Sequence, residues 1–574
     1  MKRAARTDAM SFRLRAAFVL GVLGLGAAGL IARAVDLQLV DRGFLISQGD
    51  ARFTRVVATL AHRGKIFDRN GAPLAVSTPV DSAWANPKEL ATATGQWKDL
   101  AKLLQRDRAE FIRRLSSSQD RDFIWLARHM QPEEAQAIRK MDLPGVNLVR
   151  EYHRYYPAGE VVGHVLGFTS VDDEGQEGAE LAFDHLLAGE DGRKRVIQDR
   201  KGRKVEDIEN ISTARPGGDV TLSIDMRIQY LAYRELKAAI RDNRAHSGSM
   251  VVLDVTTGEI LAMVNQPTFN PNDRGQSTAA MYRNRAATDI IEPGSSIKPF
   301  VVAAALQSGR YDAASIVDTG PGYIRVGNKV IEDEHPHGAM GLAQILALSS
   351  NVGMTIIALS LEPKQIWTTL TQLGFGRVTA SEFPGESAGV LSGYSSWRTN
   401  GISSLSRGYG LSVTPLQLAQ AYATVGAFGV SRPVTMRKVD SDVPGERVLT
   451  EHNSRTLVTL LESVVSDGTG KRAAIPGYRV AGKTGTAWKA SGGGYADKHY
   501  TAVFGGVAPA TRPRLAAVVV IDDPAAGLYY GGDVAAPVFS SVVGGALRLM
   551  GVAPDAAQPG NERGLLDAPT LVRR

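Results

Sequence analysis

The chain has 574 residues, 44% of them hydrophobic and 22% charged, enough for two or three domains and a sizeable core. It has no cysteine, which excludes disulfides, thiolate metal sites and cysteine nucleophiles, and which suits a cytoplasm or an oxidising periplasm equally. The net charge of +7 suits a membrane surface or an anionic polymer, and the lack of a basic patch interleaved with aromatics argues against nucleic acid.

Lys2, Arg3, Arg6, Arg13 and Arg15 precede an uncharged apolar run over residues 16–32. As a helix this run spans about 25 Å against a bilayer core of about 30 Å. Arg15 and Arg33 extend its reach to the two interfaces. The basic excess on the N-terminal side predicts a cytoplasmic tail over 1–15, a membrane anchor over 16–35, and everything later outside. Ala32-Arg33-Ala34 resembles a signal-peptidase site, but the run is long for a signal peptide and arginine is unattractive inside such a site. Ala17, Gly21, Gly24, Ala28 and Ala32 follow helical spacing. They form either a stripe for a second membrane helix or the small-residue content common to membrane helices.

Residues 36–60 read as an amphipathic helix leading into an extended segment. Asn70-Gly71, within the stretch His62 to Ala75, predicts a turn between two short strands. Residues 87–145 read as helical and charged. Arg154-Tyr155-Tyr156-Pro157-Ala158-Gly159, Gly163 to Gly167 and Gly175 to Glu180 follow, and Pro216-Gly217-Gly218 marks a boundary. Residues 219–550 read as one α/β segment. Its hairpins lie near both ends, at 250–264 and 501–521, and predict a sheet built from both ends around a helical middle. The tail from 552 to 574, rich in Ala, Pro and Gly, is expected to be disordered.

Three strings in that segment carry chemistry: Ser295-Ser296-Ile297-Lys298, Ser349-Ser350-Asn351 and Lys483-Thr484-Gly485-Thr486. Each alone is weak, but all three in order are hard to produce by accident. Pro293-Gly294 brings the chain to a helix start, where the dipole favours developing negative charge at Ser295. Lys298 lies one turn along the same face, within reach of that hydroxyl. A serine needs a base, and lysine serves only with a lowered pKa, which burial and the Lys483 cation would both give. Ser349 is placed to relay a proton, and Asn351 to hold the Lys298 amine and a substrate amide. Capping of a helix is the plainer reading of the same Ser and Asn.

Lys483, Thr484 and Thr486 suit a free carboxylate, and Gly485 leaves room for a substrate strand. The N–H groups of Ser295 and Thr486 are the expected oxyanion hole. A phosphate loop is the rival for Gly-Lys-Thr, but residues 478–481 read as strand. Glu332 to His337 has metal-ligand chemistry, though a solvated loop is the expected reading, and no metal or other cofactor is assigned. Ser403 to Pro415 reads as a loop entering a helix near the site, with no assigned chemistry.

The whole set resembles the class B penicillin-binding proteins, the membrane-anchored D,D-transpeptidases of peptidoglycan synthesis. Arg63-Gly64 to Ala75, Arg154 to Gly159 and Gly175 to Glu180 resemble motifs of that family's pedestal. Tyr409 to Pro415, Tyr530-Gly531-Gly532 and Ala535 to Phe539 resemble further parts of its catalytic domain. The resemblance implies the penicillin-binding transpeptidase fold, α/β (α+β), with a mostly antiparallel sheet and helices on both faces. An elongated pedestal over 36–216 would precede a transpeptidase domain over 217–551.

It also implies a bacterial inner-membrane protein with a periplasmic catalytic domain, cross-linking stem peptides through an ester on Ser295 and acylated there by β-lactams. A membrane glycan polymerase and other division proteins are the implied partners, since no glycosyltransferase segment precedes the pedestal. Length, Leu166-Gly167-Phe168-Thr169 and the lack of a long C-terminal extension point to the division-specific, septal type. The elongation-specific type is the runner-up. A D,D-carboxypeptidase, a β-lactamase, a β-lactam sensor and a catalytically redundant division scaffold are the other readings.

Overall fold

The computed structural model describes residues 4–44, 54–198, 204–440, 443–491 and 494–556. The expected tail therefore lies outside the described residues beyond Ala556. Helix α1, Ala4–Val35, is longer than the apolar run because it continues through the basic flank. Among the described residues one helical stretch, Phe12–Val40, is long and apolar enough to cross a membrane, and none of it is buried. That stretch ends in a π-helical turn, Asp36–Val40, and the next strand is Thr54–Thr59.

The chain divides into two compact units. The first comprises Met1–His62, Pro79–His153 and Gly189–Pro216. Thr54–Thr59, Gly192–Gln198 and Lys204–Ser212 pair there as an antiparallel three-stranded sheet. A separate small core gathers Trp97, Leu100, Phe111, Leu115 and Ile138 from short helices around the strand Ile124–Met130. That strand interrupts the stretch that the sequence reads as helical.

The second unit comprises Arg63–Thr78, Arg154–Ala188 and Gly217–Arg574. Three of its sequence motifs meet as one buried ion cluster. Arg63 Nε donates to Glu180 at 2.8 Å and Arg154 Nε donates to the same carboxylate at 2.7 Å. Arg63 also reaches Asp184 at 2.7 Å, and Arg154 donates to the Gly64 carbonyl at 2.8 Å. Both guanidiniums and the Glu180 carboxylate are almost wholly buried, so each charge depends on its partners. The Asn70-Gly71 turn forms as expected: Ile66 and Phe67 pair with Ala75 and Pro73, and Gly71 adopts φ +86°.

Helix α2, Met226–Asp242, precedes strands β1, Ser247–Asp254, and β2, Ile260–Gln266. A helical middle follows, including α3, Lys298–Gln307, α4, Asn351–Ser360, and α5, Pro415–Gly426. The chain then returns as β3, Ala481–Ser491, β4, Gly494–Ala508, and β5, Leu515–Asp522, and ends the core with α6, Ala536–Leu549. The strands order β2-β1-β5-β4-β3, every pair antiparallel. Both chain ends thus build the sheet.

Side chains alternate between its faces with period two. Met250, Val252, Phe504 and Val519 pack with α2 and α6. Val251, Leu253, Val518 and Val520 pack with α3 and α5. Burial on both faces is why β1 and β5 read as near-continuous apolar runs rather than alternating ones.

Candidate active site

Ser295 sits in a tight 3-10 turn, Gly294–Ile297, that runs directly into α3. The turn is fixed from behind. Tyr422 on α5 donates its hydroxyl to the Ser296 carbonyl at 3.0 Å, and Ser296 Oγ donates to the Pro293 carbonyl at 2.6 Å. Gly294 N–H donates to the Gly408 carbonyl at 3.2 Å, and Gly410 N–H donates to Glu292 Oε1 at 2.9 Å. Ile291 and Val413 exchange both backbone hydrogen bonds at 2.9 Å. The loop after Ser403, to which the sequence assigns no chemistry, is the backing of the Ser295 turn. Gly408, at φ +87°, lies so close to Gly294 that a Cβ there would stand 2.0 Å from its carbonyl oxygen.

Lys298 opens α3, whose surface is buried all round, and its own side chain is fully buried. Its Nζ donates to the Ser349 carbonyl at 2.6 Å, Ser349 Oγ at 3.2 Å, the Ser350 carbonyl at 3.3 Å and Asn351 Oδ1 at 2.9 Å. Burial lowers its pKa well below the ordinary lysine value, the Lys483 cation lowers it further, Asp333 acts against them, and Arg407 adds a smaller lowering. The sequence reading names burial and Lys483 as the causes, and burial comes first. Ser349 adopts φ +57°, a left-handed conformation uncommon for a side-chain-bearing residue, and its carbonyl and hydroxyl both meet Lys298.

Ser350 caps α4 by accepting from Gly353 N–H at 2.8 Å, so the capping reading of this string holds alongside the convergence on Lys298. A residue that the sequence reading leaves in a loop completes the arrangement. Asp333 accepts from Ser350 Oγ at 2.5 Å and from the backbone N–H of Asn351 at 2.5 Å and Val352 at 3.0 Å. Its carboxylate at the start of α4 suits the helix dipole and holds the turn that bears Ser349 and Asn351. The Glu332–His337 stretch therefore contributes a positioning residue. Among the described residues no group of three or more His, Asp or Glu side chains is placed to hold a metal.

Lys483-Thr484-Gly485-Thr486 lies within strand β3, at the edge of the sheet, which is incompatible with a phosphate-cradling loop. Burial drops the Lys483 amine to about 7. Its Nζ donates to the Thr484 carbonyl at 3.1 Å and Thr484 Oγ1 at 3.2 Å, and that hydroxyl also meets Thr469 Oγ1 at 2.7 Å. Thr486 Oγ1 accepts from Gly531 N–H at 3.1 Å. Gly485 turns its α-carbon to the Ser295 turn: a Cβ there would lie 2.6 Å from the Pro293 carbonyl oxygen and 3.1 Å from Ser296 N. The glycine thus lets the strand lie against the nucleophile turn.

These elements enclose a cleft of about 600 Å³ whose walls include Ser295, Ser349, Asn351, Thr484 and Thr486. Lys298 and Lys483 lie behind those walls, fully buried. Tyr530 stands at the rim beside Tyr529, which stacks on Tyr500 with centroids 4.2 Å apart. The sequence marks only Tyr530 of this row, in Tyr530-Gly531-Gly532, because the other members come from β4 and from the residue before it. A buried amine with a lowered pKa, two hydroxyls and an amide around one serine that lines the cleft are the components of nucleophilic acyl transfer.

Known proteins carry the same plan. Residues 248–544 match the penicillin binding protein transpeptidase domain, and residues 58–222 match the penicillin-binding protein dimerisation domain. The chain is 44% identical over 554 residues to the peptidoglycan D,D-transpeptidase FtsI of Escherichia coli K12, covering 96% of this chain and 94% of that one. It is 40% identical to the probable peptidoglycan D,D-transpeptidase PbpC of Pseudomonas aeruginosa, over 93% of this chain and 95% of the other. Penicillin-binding protein 3 of Mycobacterium tuberculosis, solved in complex with aztreonam, superposes with a TM-score of 0.67 at 27% identity, over 87% of this chain and 98% of that one. The chain belongs to the class B penicillin-binding proteins, with a dimerisation domain followed by a transpeptidase domain.

Proposed function

We propose that this protein is the septal peptidoglycan D,D-transpeptidase of its cell and a target of β-lactams. The observation that carries the reading is the convergence of Ser349 and Asn351 on the buried Lys298 amine, beside Ser295 in an open cleft. The likeness to the Escherichia coli D,D-transpeptidase over nearly the full chain supports it.

In this reading Lys298 takes the Ser295 hydroxyl proton as Oγ attacks the carbonyl between two terminal D-alanines. Backbone N–H groups of Ser295 and Thr486 hold the oxyanion. The C–N bond breaks, Ser349 passes a proton to the departing D-alanine amine, and an ester remains on Ser295. The amine of a second stem peptide then attacks that ester, forming the cross-link and restoring the serine. Asn351 orients Lys298 and a substrate amide. Lys483, Thr484 and Thr486 receive the terminal carboxylate, with substrate backbone along β3 at Gly485. A β-lactam offers a strained amide and a carboxylate in the same arrangement, so ring opening leaves it attached to Ser295.

The proposed domain plan is a cytoplasmic tail over 1–15, an anchor over 16–35, a pedestal over 36–216, a transpeptidase domain over 217–551 and a tail over 552–574. The exposed apolar helix supports membrane attachment, and the basic excess before it supports an N-terminus in the cytoplasm and catalysis in the periplasm. A membrane glycan polymerase and other division proteins are the proposed partners.

The test is intact mass of the purified protein and of Ser295→Ala after exposure to benzylpenicillin. A stable single adduct on the first and none on the second is expected. An adduct lost within seconds would move the protein to the lactamases, and no adduct on either would remove the enzymatic reading.

A further inference from the structure

A second cavity, of about 400 Å³, lies at the end of the sheet where β1 begins and β5 finishes, and it shares no lining residue with the catalytic cleft. Its wall carries Arg285, Asp289, Lys489, Asp522 and the serines Ser247 and Ser249. Its three carboxylates are already engaged: Glu292, also in the wall, accepts from Gly410 N–H at 2.9 Å. Asp522 accepts from Lys489 Nζ at 2.9 Å and from Ser247 Oγ at 3.2 Å, and Asp289 accepts from Arg283 Nη2 at 2.7 Å.

Arg285 is left under-compensated. It is 8% exposed, its Nη2 donates only to the Ala280 carbonyl at 3.1 Å, and its Nε stands 3.9 Å from Asp289, beyond hydrogen-bonding range. Its Nη1 has no hydrogen-bond partner among the described residues. Burial pushes this guanidinium below its ordinary value. A buried charge with an orphan donor costs stability unless something pairs with it.

We propose that this cavity is a second ligand site, in which Arg285 takes a small oxyanion, a carboxylate or a phosphate. The planar fork of arginine matches either group. The volume suits a ligand the size of an amino acid or dipeptide, near the lower end of the roughly 300–1,000 Å³ of ordinary ligand pockets. The adjoining Asp289 and Asp522 carboxylates make a zwitterion acceptable there.

The test uses the full chain in detergent with Ser295 already acylated by benzylpenicillin, which occupies the cleft. Acetate, D-alanine and inorganic phosphate are titrated in turn and followed by ligand line broadening, in proton NMR for the first two and phosphorus NMR for phosphate. Saturable binding to the acylated protein is expected, about tenfold or more weaker in Arg285→Gln and tighter in Asp289→Asn, which removes the competing carboxylate. A gain of affinity cannot arise from misfolding. Binding of acetate and D-alanine assigns the site to carboxylates, and binding of phosphate alone assigns it to phosphate esters; either upholds the oxyanion site. Absence of saturable binding, loss of binding on acylation, or indifference to both substitutions overturns it. If benzylpenicillin forms no adduct, the same titration of the unmodified protein against Arg285→Gln still reads this cavity separately from the proposed activity.

Discussion

In the proposed mechanism Lys483 and Lys298 take different roles, and burial shifts both amines downward. Burial, and then the Lys483 cation, hold Lys298 well below the ordinary lysine value. Lys483, near 7, must be charged to attract a carboxylate. The second-order rate of benzylpenicillin acylation is therefore expected to fall as pH rises through about 7, measurable by stopped-flow with a fluorescent penicillin. A rate that climbs steadily from pH 6 to 9 would contradict the role given to Lys483. Asp333→Asn keeps the size of the side chain but removes the charge that accepts three donors. It should lower stability by about 1–3 kcal/mol in urea unfolding and slow acylation about tenfold. Most of these residues were legible because Ser295, Lys298, Ser349, Asn351 and Lys483 stand in short strings. Asp333 and Tyr422 were not, because each acts across the fold on a string written elsewhere in the chain.

At the scale of elements, β3 and the Ser295 turn depend on one missing side chain. Gly485→Ala places a methyl group against the Pro293 carbonyl, backbone that has no rotamer to yield. The strand or the turn must shift. We expect a loss of about 1–3 kcal/mol in unfolding free energy and a slower acylation, whereas equal rates for Gly485→Ala and the parent would show that the contact is slack. The strands of the main sheet were legible from their apolar runs and from the turns between them. Ile124–Met130 was not: it is short and sits between helical stretches, and its alternation of buried and half-exposed residues is broken by Arg128-His129. The functional reason given in advance for Gly485 was also incomplete, since sequence shows that a glycine is needed but not which neighbour needs it.

For the whole molecule, the cluster of Arg63, Arg154 and Glu180 ties sequence-distant segments into the catalytic unit. Glu180→Gln leaves two buried guanidiniums short of charge and should cost about 3–5 kcal/mol, read as a drop in Tm. A Tm equal to that of the parent would mean that the cluster is dispensable. Close by, burial raises Asp173 to about 6. Its folded value lies above the unfolded one, so its ionisation disfavours the fold, and stability should decline as pH rises from about 4 through 6. Asp173→Asn, which also tolerates the φ of +64° at that position, should raise Tm above pH 6 and change little below pH 4.

The sheet is laid down in two instalments, with β1 and β2 finished by Gln266 and β3 to β5 beginning only at Ala481. At synthesis rates of about 5–20 residues per second, the first hairpin waits on the order of tens of seconds for the strands that cover its open edge. During that interval β1 presents unpaired backbone beside the apolar run Met250 to Leu253, the condition under which nascent chains recruit chaperones or mispair. A ribosome that stops short of Ala481 releases a polypeptide that carries Ser295 and α1 but not β3. Such fragments are work for quality control: they hold Lys298, Ser349 and Asn351 but lack the sheet edge against which the Ser295 turn packs.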